Sequence, residues 1–168
     1  MSAYKLMLLG EIGVGKSSLV RRLVHDRFDT DYTRTLGVDI YRYDLPEVTG
    51  RPASSFIVWD TDGNFGEAIF RHTYMKQASA AVIVADVTRR ATFDAATALA
   101  RGFREAFPGR YHALVVNKID LATSVEEPPL PTDFARGADG LFMTSAKSGE
   151  NVREAFHEAA ATIERRGL

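Results

Sequence analysis

Gly10-Glu11-Ile12-Gly13-Val14-Gly15-Lys16-Ser17 spells G-x-x-x-x-G-K-S. Its glycines and its lysine suit the binding of phosphate groups when a strand precedes it and a helix follows. Both flanks are present. Tyr4-Lys5-Leu6-Met7-Leu8-Leu9 has the character of a buried strand, and Ser17 to Val24 carries apolar residues at helical spacing. Glycines let the backbone wrap closely and turn successive N–H groups toward an anion. The helix start adds free donors and the positive end of its dipole. The loop therefore offers Gly13, Val14, Gly15, Lys16, Ser17 and Ser18 to phosphate. Lys16 supplies a point charge for β and γ phosphates, and Ser17 a hydroxyl for Mg²⁺. The competing reading is a glycine-rich strand-to-helix turn with an exposed lysine. A chance match in a chain of this length has a probability of about 1%, so further chemistry is sought at the other strand ends.

The composition narrows the field. The 168 residues predict one domain spanning 1–168, and 45% hydrophobic with 26% charged residues is ordinary for a globular chain. A net charge of −1 argues against a nucleic-acid binder. No apolar run is long enough to span a bilayer, and no basic region with an apolar core opens the chain, so a cytoplasmic protein is expected. There is no cysteine. That excludes disulfides, thiolate metal sites, cysteine nucleophiles, prenylation and palmitoylation. Ser2, where myristoylation needs glycine, completes the expectation of no lipid anchor. His25, His72, His112 and His157 show no metal-ligand spacing.

Strand and helix patterns alternate along the chain, which predicts an α/β fold with a mostly parallel sheet of six strands. Phe28 to Leu36 reads as a loop. Val38 to Leu45 and Ser55 to Trp59 read as an antiparallel pair at one sheet edge, separated by the turn residues Thr49-Gly50-Arg51-Pro52. Asp60 to Ala78 reads as a glycine-containing loop and an irregular helix. Ala80 to Ala85, Ala113 to Val116 and Leu141 to Met143 complete the strands. Ala91 to Phe107 and Asn151 to Arg165 are helices. Pro128, Pro129 and Pro131 leave room only for a short helix around Thr132 to Arg136.

The remaining chemistry lies at strand ends, where open α/β sheets bind ligands. After the third strand, Asp60-Thr61-Asp62-Gly63 offers an acid for a Mg²⁺-bound water and a glycine N–H for a γ phosphate. After the fifth, Asn117-Lys118-Ile119-Asp120 places a carboxylate that can accept two N–H bonds from guanine, a donor pair that adenine lacks. After the sixth, Thr144-Ser145-Ala146-Lys147 offers a backbone N–H to guanine O6. Thr35 adds a hydroxyl for Mg²⁺, and Phe28 an edge for the base. Each piece alone has an ordinary alternative as a turn, a capped strand end or a loop residue. Their fixed order is what carries weight.

With these motifs in place, the chain resembles a small GTPase of the Ras superfamily, and most of all its Rab branch. Thr35-Leu36-Gly37-Val38-Asp39 is similar to the Rab switch I signature. Trp59-Asp60-Thr61, Tyr74 and Ala85-Asp86-Val87-Thr88 fit as well. The resemblance covers essentially all 168 residues and implies a P-loop NTPase fold with helices on both faces, acting as a monomeric Mg²⁺-GTP/GDP switch. Switch I would span about Phe28 to Val38 and switch II about Gly63 to Tyr74, engaging effector, activating and exchange proteins. By position, Lys16 contacts phosphates, Ser17 and Thr35 ligate Mg²⁺, Asp60 holds it through water, and Gly63 senses the γ phosphate. Phe28, Asn117, Lys118, Asp120, Ser145, Ala146 and Lys147 form the guanine site. The expected catalytic set is Lys16, Gly63 and Asn64.

Several residues depart from the pattern. The usual D-T-A-G-Q is Asp60-Thr61-Asp62-Gly63-Asn64 here. Asn64 is one methylene shorter than glutamine, about 1.5 Å, and misplacement on that scale costs about 10²-fold in rate. Asp62 adds an acid beside the γ phosphate. Ile12 replaces a glycine found in Ras, Ile40 replaces an aromatic of the effector-reading patch, and the chain ends Arg165-Arg166-Gly167-Leu168 without a lipidated cysteine tail. Slow hydrolysis is therefore expected, and the absence of cysteine with alanine- and arginine-rich helices would suit a prokaryotic member. The alternatives are a GTPase-like scaffold that barely hydrolyses and, more remotely, a P-loop kinase for a small substrate.

Overall fold

Alternation of apolar residues on both faces of the strands sets the architecture. In the computed structural model, which describes residues 2–30, 35, 37–71, 75–122 and 130–167, β1 (Ser2–Gly10) lies at the centre of a six-stranded sheet. The other strands are β2 (Val38–Leu45), β3 (Ser54–Thr61), β4 (Ala80–Asp86), β5 (Tyr111–Asn117) and β6 (Gly140–Met143), in the order β2-β3-β1-β4-β5-β6. Only β2 runs antiparallel, with Val38 opposite Thr61 and Leu45 opposite Ser54. The expected fold class, six strands with one antiparallel edge strand, is the observed one.

Leu6 and Leu8 face one layer; Met7 and Leu9 face the other, and all four are at most 1% exposed. This period-2 pattern explains why the central strands read as unbroken apolar runs: both faces are covered. On one face lie α1 (Lys16–His25) and α3 (Val152–Arg166), burying Leu19, Leu23, Phe156 and Ile163. On the other lie α2 (Ala91–Ala106) and a 3₁₀ segment, Gly63–Arg71, burying Phe93, Leu99, Phe103 and Ile69. The order of succession reverses at β1, with α1 leading to β2 and β3 on one side and β4 following on the other. A crevice at the C-terminal ends of the strands results.

Two local expectations change. No helix forms over Thr132 to Arg136. Turns take its place, with Phe134 N–H donating to Pro131 O and Arg136 N–H to Asp133 O. Ala135 and Gly137, with φ of 70° and 78°, break the helical path there. The irregular helix expected before Ala78 is, over its described part, two 3₁₀ pieces kinked at Gly66 (φ 47°, ψ −139°). Of the predicted switches, Asp31 to Arg34, Leu36 and His72 to Tyr74 lie outside the described residues, as do Pro128 and Pro129.

Candidate functional site

A cleft of about 350 Å³ opens at the C-terminal ends of the strands, within the size range of small-molecule sites. It is lined by the loop residues Gly13, Gly15, Lys16, Ser17 and Ser18, by Phe28 and Thr35, by Asp62 and Gly63, and by Asn117, Lys118, Asp120, Ala146 and Lys147. Segments read separately along the sequence thus share one space. Val14 and Ser145 stand behind its wall, both fully buried.

The phosphate loop is held from within. Lys16, 6% exposed, folds back so that Nζ donates to Gly10 O and Glu11 O at 2.8 and 3.0 Å. Burial lowers its pKa to about 8, against the upward pull of Asp60, Asp62 and Glu11. Gly15 sits at φ 101°, a conformation only glycine adopts easily, and a Cβ there would stand 2.3 Å from Asn117 Nδ2. Helix α1 starts directly after it, with its first N–H groups at the cleft.

Three oxygen-bearing side chains meet beside the loop. Ser17 Oγ lies 2.6 Å from Thr35 Oγ1, and it donates to Asp60 Oδ2. Asp60 is fully buried, and its Oδ1 has no hydrogen-bond partner. Burial raises the Asp60 pKa; the Ser17 hydroxyl and the Lys16 ammonium oppose the rise. Two hydroxyls and a buried carboxylate oxygen without a donor form an all-oxygen set that suits a hard divalent cation such as Mg²⁺. Among the described residues no group of three histidine or acidic side chains offers a rival metal site.

The segment after β3 leans on this loop. Thr61 Oγ1 donates to Leu8 O at 2.6 Å, and Asp62 N–H to Gly37 O at 2.8 Å, which ties expected switch I to the residue just ahead of expected switch II. Gly63 packs so tightly that a Cβ would lie 2.4 Å from Ile12 N and 2.7 Å from Glu11 C. Asp62 Oδ1 accepts the Asn64 N–H at 2.9 Å, starting the 3₁₀ turn. Asn64 itself is exposed and is not among the residues that line the cleft.

The far end of the cleft is built by β5 and β6. Asn117, 1% exposed, joins three segments: Nδ2 donates to Val14 O at 3.1 Å, while Oδ1 accepts from Thr144 Oγ1 at 3.1 Å and Ala146 N–H at 3.2 Å. Lys118 has the left-handed φ of 66°; its Nζ donates to Gly13 O at 2.6 Å and pairs with Asp86 Oδ2 at 2.9 Å. Asp86 also accepts from the Thr88 backbone and hydroxyl, and these bonds with Lys118 hold its pKa down against burial. Ser145 Oγ donates to Asp120 Oδ1 at 2.7 Å and so orients that carboxylate at the cleft. Phe28 sits half-buried at the rim.

Two arginines escaped the sequence reading. Arg22, on α1, donates through Nε to Ala146 O at 2.8 Å and through Nη2 to Lys147 O at 2.5 Å, fixing the loop after β6. Arg89, after β4, donates to Ile12 O at 2.9 Å. Neither belongs to a short motif, and the contacts span 124 and 77 residues of chain, so no local signal marks them.

A glycine loop at a helix start, an oxygen cluster beside it and a carboxylate held by a serine at the far end define a phosphate-loop nucleotide-binding protein of the α/β class. Known proteins narrow this. The model of the Ras family matches residues 5–165. The chain is 35% identical over 164 residues to the Ras-related protein RABF2b of Arabidopsis thaliana, covering 96% of this chain and 81% of that one. It is 36% identical over 163 residues to the GTP-binding protein ypt5 of Schizosaccharomyces pombe, covering 95% and 77%. It is 34% identical over 163 residues to the Ras-related protein Rab-31 of Rattus norvegicus, covering 95% and 82%. The chain belongs to the Ras family, on its Rab branch of small GTPases, enzymes that hydrolyse GTP.

Proposed function

We propose that this chain is a guanine-nucleotide switch that binds GTP and GDP with Mg²⁺ in the cleft, hydrolyses GTP slowly and engages partner proteins through switch I and switch II. The observation that carries this is the convergence of the phosphate loop, the Ser17–Thr35–Asp60 cluster and the Asn117–Asp120–Ser145 network on one cleft. Lys16 and the N–H groups of Gly13 to Ser18 bind the phosphates, with Gly63 closing over them. Ser17, Thr35 and Asp60 would hold Mg²⁺, which when bound neutralises phosphate charge. Asp120 reads the base, with Phe28, Asn117, Lys118, Ala146 and Lys147 forming its walls.

For hydrolysis, Asn64 has to bring its amide to the attacking water. Its exposed position after the Asp62-capped turn means that switch II must swing it inward first. Asp62 at the lining of the cleft opposes a γ phosphate by like charge. Both features favour a low rate. They also sustain a second reading, a scaffold that holds nucleotide without turnover. On the outer face, Ile40 on β2 is 57% exposed and stands opposite Trp59 on β3, a surface for a partner's apolar side chains.

The deciding experiment is to denature the purified chain and identify the nucleotide it releases. GDP or GTP is expected, and an adenine nucleotide would overturn the proposal. Single-turnover hydrolysis of bound GTP then separates switch from scaffold.

A further inference from the structure

Each carbonyl of the phosphate loop from Gly10 to Val14 accepts a hydrogen bond from a side chain. Lys16 takes Gly10 O and Glu11 O, Lys118 takes Gly13 O, and Asn117 takes Val14 O. All three donors belong to the nucleotide motifs. The fifth carbonyl, Ile12 O, is taken by Arg89, which comes from the turn between β4 and α2 and belongs to none of them.

The turn delivers Arg89 from a fixed base. Its N–H donates to Asp86 O at 3.0 Å, and its carbonyl accepts from Thr92 N–H at 3.1 Å and Thr92 Oγ1 at 2.6 Å. The Thr92 hydroxyl in turn accepts the Asp86 N–H at 2.9 Å. From there the guanidinium lies across the loop, with Nη2 on Ile12 O and Nη1 3.0 Å from where a Cβ on Gly13 would stand. Glycine at 13 is what leaves it room.

We propose that Arg89 is a positioning residue of the phosphate site, holding the Ile12–Gly13 peptide so that the Gly13 N–H faces the bound nucleotide and donates to it more strongly. Ile12 C=O and Gly13 N–H belong to one planar trans peptide and point in opposite directions. A cation that pins the carbonyl on the outside therefore aims the N–H inward. Donation to the oxygen also polarises the peptide, which makes its N–H a better donor, the cooperativity of linked hydrogen bonds. Asn117 acts in the same way on the Val14–Gly15 peptide, whereas behind the Gly13 carbonyl that Lys118 takes, the Val14 N–H donates to Glu11 O at 3.5 Å within the loop. The charge of Arg89 is felt inside the loop as well, where it disfavours protonation of Lys16. The role rests on the guanine-nucleotide reading and adds to it a residue outside the family's motifs.

The test uses the full chain loaded with GDP, comparing the parent with Arg89→Ala and Arg89→Lys. GDP release, thermal unfolding and the amide proton resonances of Gly10, Gly13 and Gly15 are measured. Removing a partner that orients a metal ligand from behind typically costs 10- to 100-fold, and at the low end of that scale Arg89→Ala should release GDP about tenfold faster. Its Gly13 amide proton should move upfield more than those of Gly10 and Gly15. Arg89→Lys keeps one point donor without the fork and should fall between. Unchanged release overturns the proposal. So does faster release with the three glycine resonances shifting alike, because that marks a general loosening of the loop. A parent that loads no guanine nucleotide overturns the nucleotide reading itself, and this role with it.

Discussion

Replacing Asn117 by alanine asks how much of the site is held by one side chain. Asn117 is 1% exposed and ties its own strand end to two distant segments, the phosphate loop at Val14 and the loop after β6 at Thr144 and Ala146. Truncation strands Val14 O and Ala146 N–H, while the Thr144 hydroxyl can rotate to another acceptor. A buried polar group left without its partner costs about 1–3 kcal/mol, so the two together cost about 2–6 kcal/mol. The cleft is adjacent and wet, and a water entering the vacated space recovers part of this, which places the expected loss at about 3 kcal/mol. For a chain of this size each kcal/mol shifts the unfolding midpoint by about 2–4 °C, so a fall of about 6–12 °C is expected. Calorimetry at saturating GDP measures the midpoint, and stopped-flow displacement measures GDP release, which should quicken. A midpoint within about 2 °C of the parent together with unchanged release would refute the claim that Asn117 joins the loops.

Asp120→Asn exchanges an acceptor for a group that can present N–H to guanine's own donors; GDP affinity should fall by about 10³-fold, and xanthosine diphosphate should bind better than GDP. Equal GDP affinity in isothermal titration would remove Asp120 from the base site. Asp62→Ala combined with Asn64→Gln should raise single-turnover GTP hydrolysis clearly above the parent, because it removes the carboxylate that caps the Asn64 turn and lengthens the amide; a slower double variant would assign water positioning to another residue. His112 is 3% exposed beside Phe103 and Asp139, and burial lowers its pKa below the ordinary value, with Asp139 opposing and Arg104 and Arg166 adding to the effect. The fold thus favours the neutral ring, so this stabilisation is complete above the unfolded value of about 6.5 and is lost as pH falls from there through the lower folded value. His157 is lowered as well and acts in the same direction. The unfolding midpoint should drop between pH 7.5 and 5.5, less steeply in His112→Leu; an identical slope would exclude His112 as a contributor.

Much of the fold and of the cleft could be read from residues in order. β1 and β4 carry unbroken apolar runs because both faces of the sheet are covered, and Lys16, Ser17 and Asp120 sit in short motifs whose spacing is set by a single turn. The expected helix at Thr132 to Arg136 failed for a local reason: Ala135 and Gly137 take positive φ, a backbone choice that composition does not announce for alanine. Asp60 was legible as an acid after a strand, but not that one of its oxygens would be buried without a partner. Arg22 and Arg89 were illegible because their roles exist only after distant elements pack. The sequence reads Asn64 as a departure from glutamine, but its outward placement depends on the turn that Asp62 caps and is not legible from the residue alone.

The central position of β1 has a consequence for the order in which the protein can come into being on the ribosome. β1 and the phosphate loop are made before the other strands of the sheet, but β1 sits between β3 and β4, and three of the loop's carbonyls wait for Arg89, Asn117 and Lys118. The bonds from Arg22 to the segment at Ala146 and Lys147 span 124 and 125 residues. Contacts of such long range form late, since the chain between them must be ordered before they repay its entropy. An emerging chain therefore carries a phosphate loop held only from within by Lys16, its outer frame incomplete until β5 and β6 have docked. A ligand in the cleft would bridge the loop after β1 and the loops after β5 and β6, which lie far apart along the chain.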